Sequence, residues 1–269
     1  MRRTALAAGL SVIVVGALAG VLVTEAFAQE HASPSGYLAT GAFDVRQVLP
    51  PAPVPGDPRA DADRAEFRAL RKLEGTPRWA MATNDVKLSP ADLGRDFSCS
   101  LGVALTPQDA PRTVALLRRA GIDTGRQTNA VKNFYRRPRP YHFDPGPVCE
   151  PVAELADSFD YPSGHTTLGW TWATILARLA PDRATAILAR GRAFGESRAV
   201  CGAHNLSAVE NGFLSASATL DAVAQAPAFQ ADLADAQREI DALRADPATP
   251  RPDAKACATE AALVAQRIY

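Results

Sequence analysis

The chain has 269 residues, 47% of them hydrophobic, with 29 Lys and Arg against 29 Asp and Glu. That length and apolar fraction suit one sizeable domain with its own core, and the balanced charge lacks the basic excess of a nucleic-acid binder. One local cluster breaks the neutrality: KNFYRRPRP, residues 132–140, packs four cations into nine residues.

Residues 1–28 read as a signal peptide. MRR is a basic start, TALAAGLSVIVVGALAGVLV is the apolar run, and AFA ahead of Gln29 is a small-residue cleavage site. The run is long enough for an uncleaved anchor, but the cleavage pattern favours removal after Ala28. No later run approaches the roughly 18 to 20 apolar residues of a membrane span. The body of the protein is therefore expected outside the cytoplasm, periplasmic or secreted, with no membrane attachment after cleavage.

Residues 29–57 are rich in Pro, Ala and Gly, and VLPPAPVPGDP reads as an extended lead-in. From residue 58 to 269 the pattern is helical. RADADRAEFRALRKLEG is a charged helix ending at Gly75. SPADLGRDFSCSLGVAL starts on a Ser89 cap, with Leu93, Phe97 and Leu101 at helical spacing. TPQDAPRTVALLRRAGI has Thr106 as cap, Pro107 at the first position and Gly121 as stop. DTGRQTNAVKNFYRR is a separate helix broken by Pro138 and Pro140, and PYHFDPGPVCEP is a loop. Further helices follow from His165, in PDRATAILARGRAFGESRAV, in HNLSAVENGFLSASATLDAVAQA, in AFQADLADAQREIDALRAD and in DAKACATEAALVAQRIY. No strand alternation and no internal repeat is visible. The expected fold is all-α, a single-domain bundle of roughly eight to ten helices.

The four cysteines, Cys99, Cys149, Cys201 and Cys257, suggest two disulfides in an exported chain. Three connectivities are open; pairing sequence neighbours, Cys99 with Cys149 and Cys201 with Cys257, is the first choice. The wide spacings do not resemble a zinc site.

SFDYPSGHTTLGW, residues 158–170, is a turn opening into a helix. Free N–H groups and the positive end of the helix dipole at such a mouth suit an anion such as phosphate. A Ser163 cap with a histidine in the first turn is the plainer reading of the same stretch. The wider pattern decides between them: Lys132 and Arg139-Pro140 give K-x6-RP, residues 162–165 give PSGH, and SRAVCGAH gives SR-x5-H from Ser197 to His204. This ordered triple resembles the signature of the type-2 phosphatidic acid phosphatase superfamily, which also contains the vanadium haloperoxidases. YPSGHTTLGWTWA, ARGRAFGESRAVCGAHNLSAVE and LPPAPVPG further resemble the bacterial class A non-specific acid phosphatases, over roughly Leu49 to Asp235.

The residue chemistry agrees with that resemblance. Lys132, Arg139 and Arg198 can hold phosphate oxygens through charge-assisted bonds, and Ser163 with the Gly164 N–H adds neutral donors. The resemblance implies that His204 is the nucleophile, forming a phosphohistidine, and that His165 is the general acid. Histidines with ordinary values near about 6.5 give a mildly acidic optimum. No metal or other cofactor is expected, the substrate is a small soluble phosphomonoester, and a homo-oligomer would be unsurprising for such a family.

The pattern departs at one place. The family continues SR-x5-H-x3-D, and the aspartate holds the nucleophilic imidazole; here that position is Ala208. Glu210 lies two residues on, turned by roughly 200° on a helix, so it is a poor substitute. Asn205 or a backbone carbonyl are the other candidates. Three readings follow: an active acid phosphatase, a catalytically impaired phosphate-binding relative, and a vanadium-dependent haloperoxidase. An envelope lipid phosphatase is disfavoured, since it would need several spans. On the first reading, Ala208→Asp should raise the rate.

The remaining candidates have plainer readings. His31 reads as incidental in the lead-in, His142 as exposed or structural, and Arg136 and Arg137 as a solvated face. Trp79, Trp170 and Trp172 read as core, Tyr135 and Tyr161 as packing. Glu196 is either a partner of Arg198 or a surface glutamate.

Overall fold

Proline and short polar side chains set most helix starts. The computed structural model describes residues 35–269, and among the described residues there are nine α-helices and no strand. They are α1 (Pro58–Leu70), α2 (Pro77–Asn84), α3 (Pro90–Leu101), α4 (Pro111–Tyr135), α5 (Gly164–Leu179), α6 (Ala184–Val200), α7 (Leu206–Val223), α8 (Pro227–Ala245) and α9 (Ala254–Val264). Helices α1, α2, α3, α4 and α8 open on a proline, whose missing N–H costs nothing in a first turn. Asp57, Thr76, Ser89, Ser163 and Asp253 cap α1, α2, α3, α5 and α9, each accepting a first-turn N–H. The expected signal peptide and His31 lie outside the described residues.

The bundle is the all-α architecture that the periodicity predicts, with helix α2 missed and one helix divided in error. The two helices expected on either side of Gly121 are the single helix α4. Thr106 accepts the Asp109 N–H at 3.0 Å, but this closes only a turn, and the helix begins at Pro111. Gly121 does not stop the helix. A Cβ there would meet Leu168 Cδ1 at 3.1 Å, so the glycine lets α5 pack closely on α4.

Helices α4, α5, α6 and α7 surround the main core, joined by α3 and α8. Phe97 of α3 stacks between Trp172 of α5 and Phe194 of α6, with centroids 6.5 and 6.4 Å apart. Each buried ring contributes about 2–3 kcal/mol of burial free energy. Trp172 is fully buried, while Trp79 and Trp170 are only half-buried. Trp170 Nε1 donates to Ser217 Oγ at 2.9 Å, and Trp79 carries the Arg71 guanidinium over its ring. A smaller cluster joins Val45, Leu49 and Ala52 of the lead-in to Val131, Tyr161 and Ala208.

The disulfides are nested, Cys149–Cys201 inside Cys99–Cys257, and are not the two pairs expected from the sequence. Cys99–Cys257 ties α3 to α9, because the C-terminal helix returns to the early part of the bundle. Cys149–Cys201 ties the loop before the PSGH stretch to the end of α6, where the Cys149 N–H also donates to the Cys201 carbonyl at 3.0 Å. No helix among the described residues is long and apolar enough to cross a membrane.

Candidate active site

Four pieces of chain converge at the N-terminus of α5. Ser163 Oγ caps α5 by accepting the Thr166 N–H at 3.3 Å, and its own N–H donates to the Ala208 carbonyl of α7 at 2.9 Å. The N–H groups of Gly164 and His165 have no intrahelical carbonyl to reach. The capped helix and the anion-receptive mouth are thus one feature.

Lys132 comes from the last turn of α4. That helix ends on Arg136 in the left-handed region, φ 47°, which turns the chain so that Arg139 follows. Both cations are steadied by carbonyls of one loop: Lys132 Nζ donates to Phe159 O, and Arg139 Nε to Ser158 O at 2.8 Å. Both side chains are buried. Burial and the neighbouring guanidiniums push the Lys132 ammonium down from its usual range, and desolvation does the same to Arg139.

Arg198 and His204 are tied by the backbone. Helix α6 ends at Val200, and Gly202 adopts φ 80°. The chain then folds back so that the N–H groups of Ala203 and His204 donate to the Arg198 carbonyl at 3.1 and 3.2 Å. This is the physical content of the SR-x5-H spacing: a left-handed turn returns the histidine over the helix end that carries the arginine. A Cβ at Gly202 would lie 2.4 Å from Arg71 Nη1. Arg71 Nη2 caps the same end by donating to the carbonyls of Ala199 and Val200 at 2.7 and 2.8 Å.

The Arg198 guanidinium is fully buried, and its Nη2 donates to Glu150. Its Nε and Nη1 are buried without a partner. Guanidinium donors withheld from water suit an oxyanion, because an orphaned buried donor costs about 1–3 kcal/mol until an acceptor arrives.

His204 is buried with both ring nitrogens engaged. Nε2 lies 2.9 Å from Arg139 Nη1, and Nδ1 lies 3.0 Å from Asp160 Oδ1. Desolvation, with Arg139, Lys132 and Arg198 nearby, holds its pKa well below the ordinary histidine value. His165 is partly buried, with Nε2 3.0 Å from the Val86 carbonyl, which only accepts. Burial and Arg198 depress this histidine as well. The unperturbed values expected from sequence do not hold, because both imidazoles are desolvated and three cations lie beside them.

The seven sequence-predicted residues therefore meet at one place: Lys132, Arg139, Ser163, Gly164, His165, Arg198 and His204. Three assignments change. Arg137 is no solvated face: its Nη2 donates to Asp63 at 2.8 Å, and its Nη1 reaches Ser207 Oγ at 2.8 Å and Asp160 at 3.2 Å. Glu196 pairs with Arg192 and Tyr269, so Glu150 is the partner of Arg198. Glu210 is exposed and has no bond to His204, and Asn205 donates to Asp160 instead of orienting the ring. His142 is exposed, as expected.

Sequence reasoning missed two carboxylates. Glu150 follows Cys149, whose disulfide partner lies three residues beyond Arg198; the signal was available once the pairing was known. Asp160 stands three residues before Ser163, and its adjacency to the signature was the available sign. A cleft of about 170 Å³ lined by Pro53, Pro55, Arg64 and Phe143 also borders Arg137 and Asn205, and none of the seven residues lines it.

Comparison with known proteins agrees with this arrangement. The family model described as PAP2 superfamily matches residues 114–230, the segment carrying all seven residues. An acid phosphatase of Zymomonas mobilis is 37% identical over 82% of this chain and 80% of its own length. A non-specific acid phosphatase of Salmonella typhimurium is 34% identical over 71% and 78%, and one of Providencia stuartii is 33% identical over 76% and 83%. With the cage assembled and most of both chains aligned, the chain belongs to the acid phosphatase family of the PAP2 superfamily.

Proposed function

We propose that the protein is an exported, metal-independent acid phosphatase that hydrolyses small soluble phosphomonoesters through a phosphohistidine on His204. The observation that carries this reading is the pair of buried, unpartnered donors on Arg198, beside a histidine whose Nε2 faces Arg139. An arginine donates and cannot accept, so Nε2 holds a lone pair and is the nucleophilic atom.

In this mechanism the ester's phosphate accepts bonds from Lys132, Arg139, Arg198, Ser163 Oγ–H and the N–H groups at the mouth of α5. Its oxygens take over Arg139, which frees His204 Nε2. Nε2 attacks phosphorus, the P–O bond to the leaving group breaks, and protonated His165 gives its proton to the departing oxygen. Water then attacks the phosphohistidine. Neutral His165 takes the water's proton, the P–N bond breaks, and inorganic phosphate leaves. The cations stabilise charge that spreads over the equatorial oxygens in each transition state. Their charge is the support for metal independence, and residues 1–28 are the support for export.

Hydrolysis of p-nitrophenyl phosphate by the mature chain between about pH 4 and 8, with and without EDTA, tests the reading. Activity in the acid range, unchanged by EDTA and inhibited competitively by vanadate, supports it. Activity lost in EDTA and restored by a divalent cation contradicts metal independence. Halide oxidation with added vanadate and peroxide, with no ester hydrolysis, would favour the haloperoxidase reading. The impaired-relative reading rested on Ala208 alone.

A further inference from the structure

We propose that Asp160 is the positioning residue for His204, and that it replaces from the loop before PSGH the aspartate that the family pattern places at position 208. The proposal rests on His204 being the nucleophile.

The geometry fixes the imidazole from both sides. Arg139 Nη1, which can only donate, points at Nε2 from 2.9 Å. A neutral ring with a lone pair on Nε2 carries its hydrogen on Nδ1, and the atom facing Nδ1 is Asp160 Oδ1 at 3.0 Å. Asp160 also accepts the Asn205 N–H at 3.1 Å and Asn205 Nδ2 at 2.8 Å, and it forms an ion pair with Arg137 Nη1 at 3.2 Å. Every one of these neighbours donates, and a carboxylic O–H there would find no acceptor. Asp160 is therefore held as the ionised, acceptor-only carboxylate. Burial pushes its pKa up, while Arg137, Asn205 and Lys132 act against that.

The same groups explain why the residue is rigid. Its N–H donates to the Arg137 carbonyl at 2.8 Å. Arg137 is anchored in turn by Asp63, which also accepts the Ser207 N–H at 2.8 Å. The carbonyls of the two preceding residues, Ser158 and Phe159, hold Arg139 and Lys132. One loop thus sets two cage cations and the nucleophile together. Position 208 itself is apolar: Ala208 is fully buried in the cluster that holds Val45, Leu49, Val131 and Tyr161. The carboxylate has changed its chain position while keeping its partner, the Nδ1 side of the nucleophile.

When Nε2 bonds to phosphorus the ring becomes cationic, and an ionised partner at Nδ1 stabilises that charge. A carboxamide in its place can donate to Nδ1 and so favours the wrong tautomer. The equivalent Asp-to-Asn change in the serine-protease triad costs about ten-thousandfold in kcat.

The test uses the mature protein and three measurements. For Asp160→Asn, kcat should fall at least about a hundredfold, while the inhibition constant for inorganic phosphate stays within about threefold. In the wild type, 15N spectra of labelled histidine, assigned by loss of the His204→Ala signal, should show His204 neutral with its hydrogen on Nδ1. His204→Ala should be inactive. Asp160→Asn with normal kcat beside an inactive His204→Ala overturns this proposal alone. Parallel loss of kcat and phosphate affinity in Asp160→Asn reduces Asp160 to a scaffold residue and also overturns it. A hydrogen on Nε2 in the wild-type spectrum does so even if Asp160→Asn fails to fold. An active His204→Ala overturns both this proposal and the nucleophile assignment beneath it.

Discussion

Helix α6 carries two buried arginines eight residues apart, and their surroundings differ in one respect. Arg190 is fully satisfied: Nε donates to the Asp96 carbonyl at 3.1 Å, and Nη1 and Nη2 to Asp85 at 3.3 and 2.6 Å. Asp85 also accepts from Ser197 Oγ, which receives Arg78 Nη1. Arg198 is equally buried but keeps Nε and Nη1 unpartnered. Burial and charge are common to both. A closed network marks structure, and donors left open in a buried place mark a site waiting for an anion.

Exchanging the roles of the two arginines should break this contrast. Arg198→Lys keeps a positive charge but loses the planar fork, so kcat/KM should fall by about a hundredfold to a thousandfold with little loss of stability. Arg190→Met leaves Asp85 buried without its cation, which should cost about 3–5 kcal/mol in denaturant unfolding. Activity per folded molecule should stay within a few fold. Kinetics and urea titrations on both variants check the pair. Equal losses of activity and stability in both would erase the distinction.

Ala208→Asp is a smaller perturbation with an instructive sign. The family pattern taken alone predicts a faster enzyme. The structure predicts no gain in kcat and a loss of about 2–4 kcal/mol, because the new carboxylate enters an apolar cluster with Asp160 already on His204. A faster and equally stable variant would show that Asp160 leaves His204 under-supported.

The pH dependence is the finest test. Burial first, and then the cations Arg198, Arg139 and Lys132, hold His165 well below its ordinary pKa. A bound phosphate dianion offsets those cations and favours the imidazolium, so the general acid stays protonated to higher pH in the complex than in the free enzyme. The alkaline limb of kcat should therefore lie about one unit above that of kcat/KM. Coincident limbs would mean that the cations do not set the proton affinity of His165.

Most helices, though not α2, and the seven residues that meet at the start of α5 were legible in the sequence because both depend on local order: 3.6-residue periodicity, cap residues and fixed motif spacing. Glu150 and Asp160 were not, because each reaches its partner across a gap of more than forty residues, through a disulfide in one case and a loop in the other. Gly121 misled for a related reason: a glycine that stops a helix and one that admits a neighbouring side chain look alike until Leu168 is placed beside it. The disulfides failed likewise, since proximity in sequence says nothing about where α9 returns. Arg137 resembles a surface cation in a basic run, and only the approach of Asp63 from α1 makes it a buried strut.

The central claim is that the cage delivers phosphate to Nε2 of His204. Rapid acid-free quenching during turnover of 32P-labelled substrate, followed by peptide mapping, measures this directly. The expected result is an acid-labile, alkali-stable phosphoryl label on the peptide containing His204, present in wild type and absent from His204→Ala. Label on any other residue, or steady hydrolysis with no phosphoenzyme under these conditions, would contradict the account.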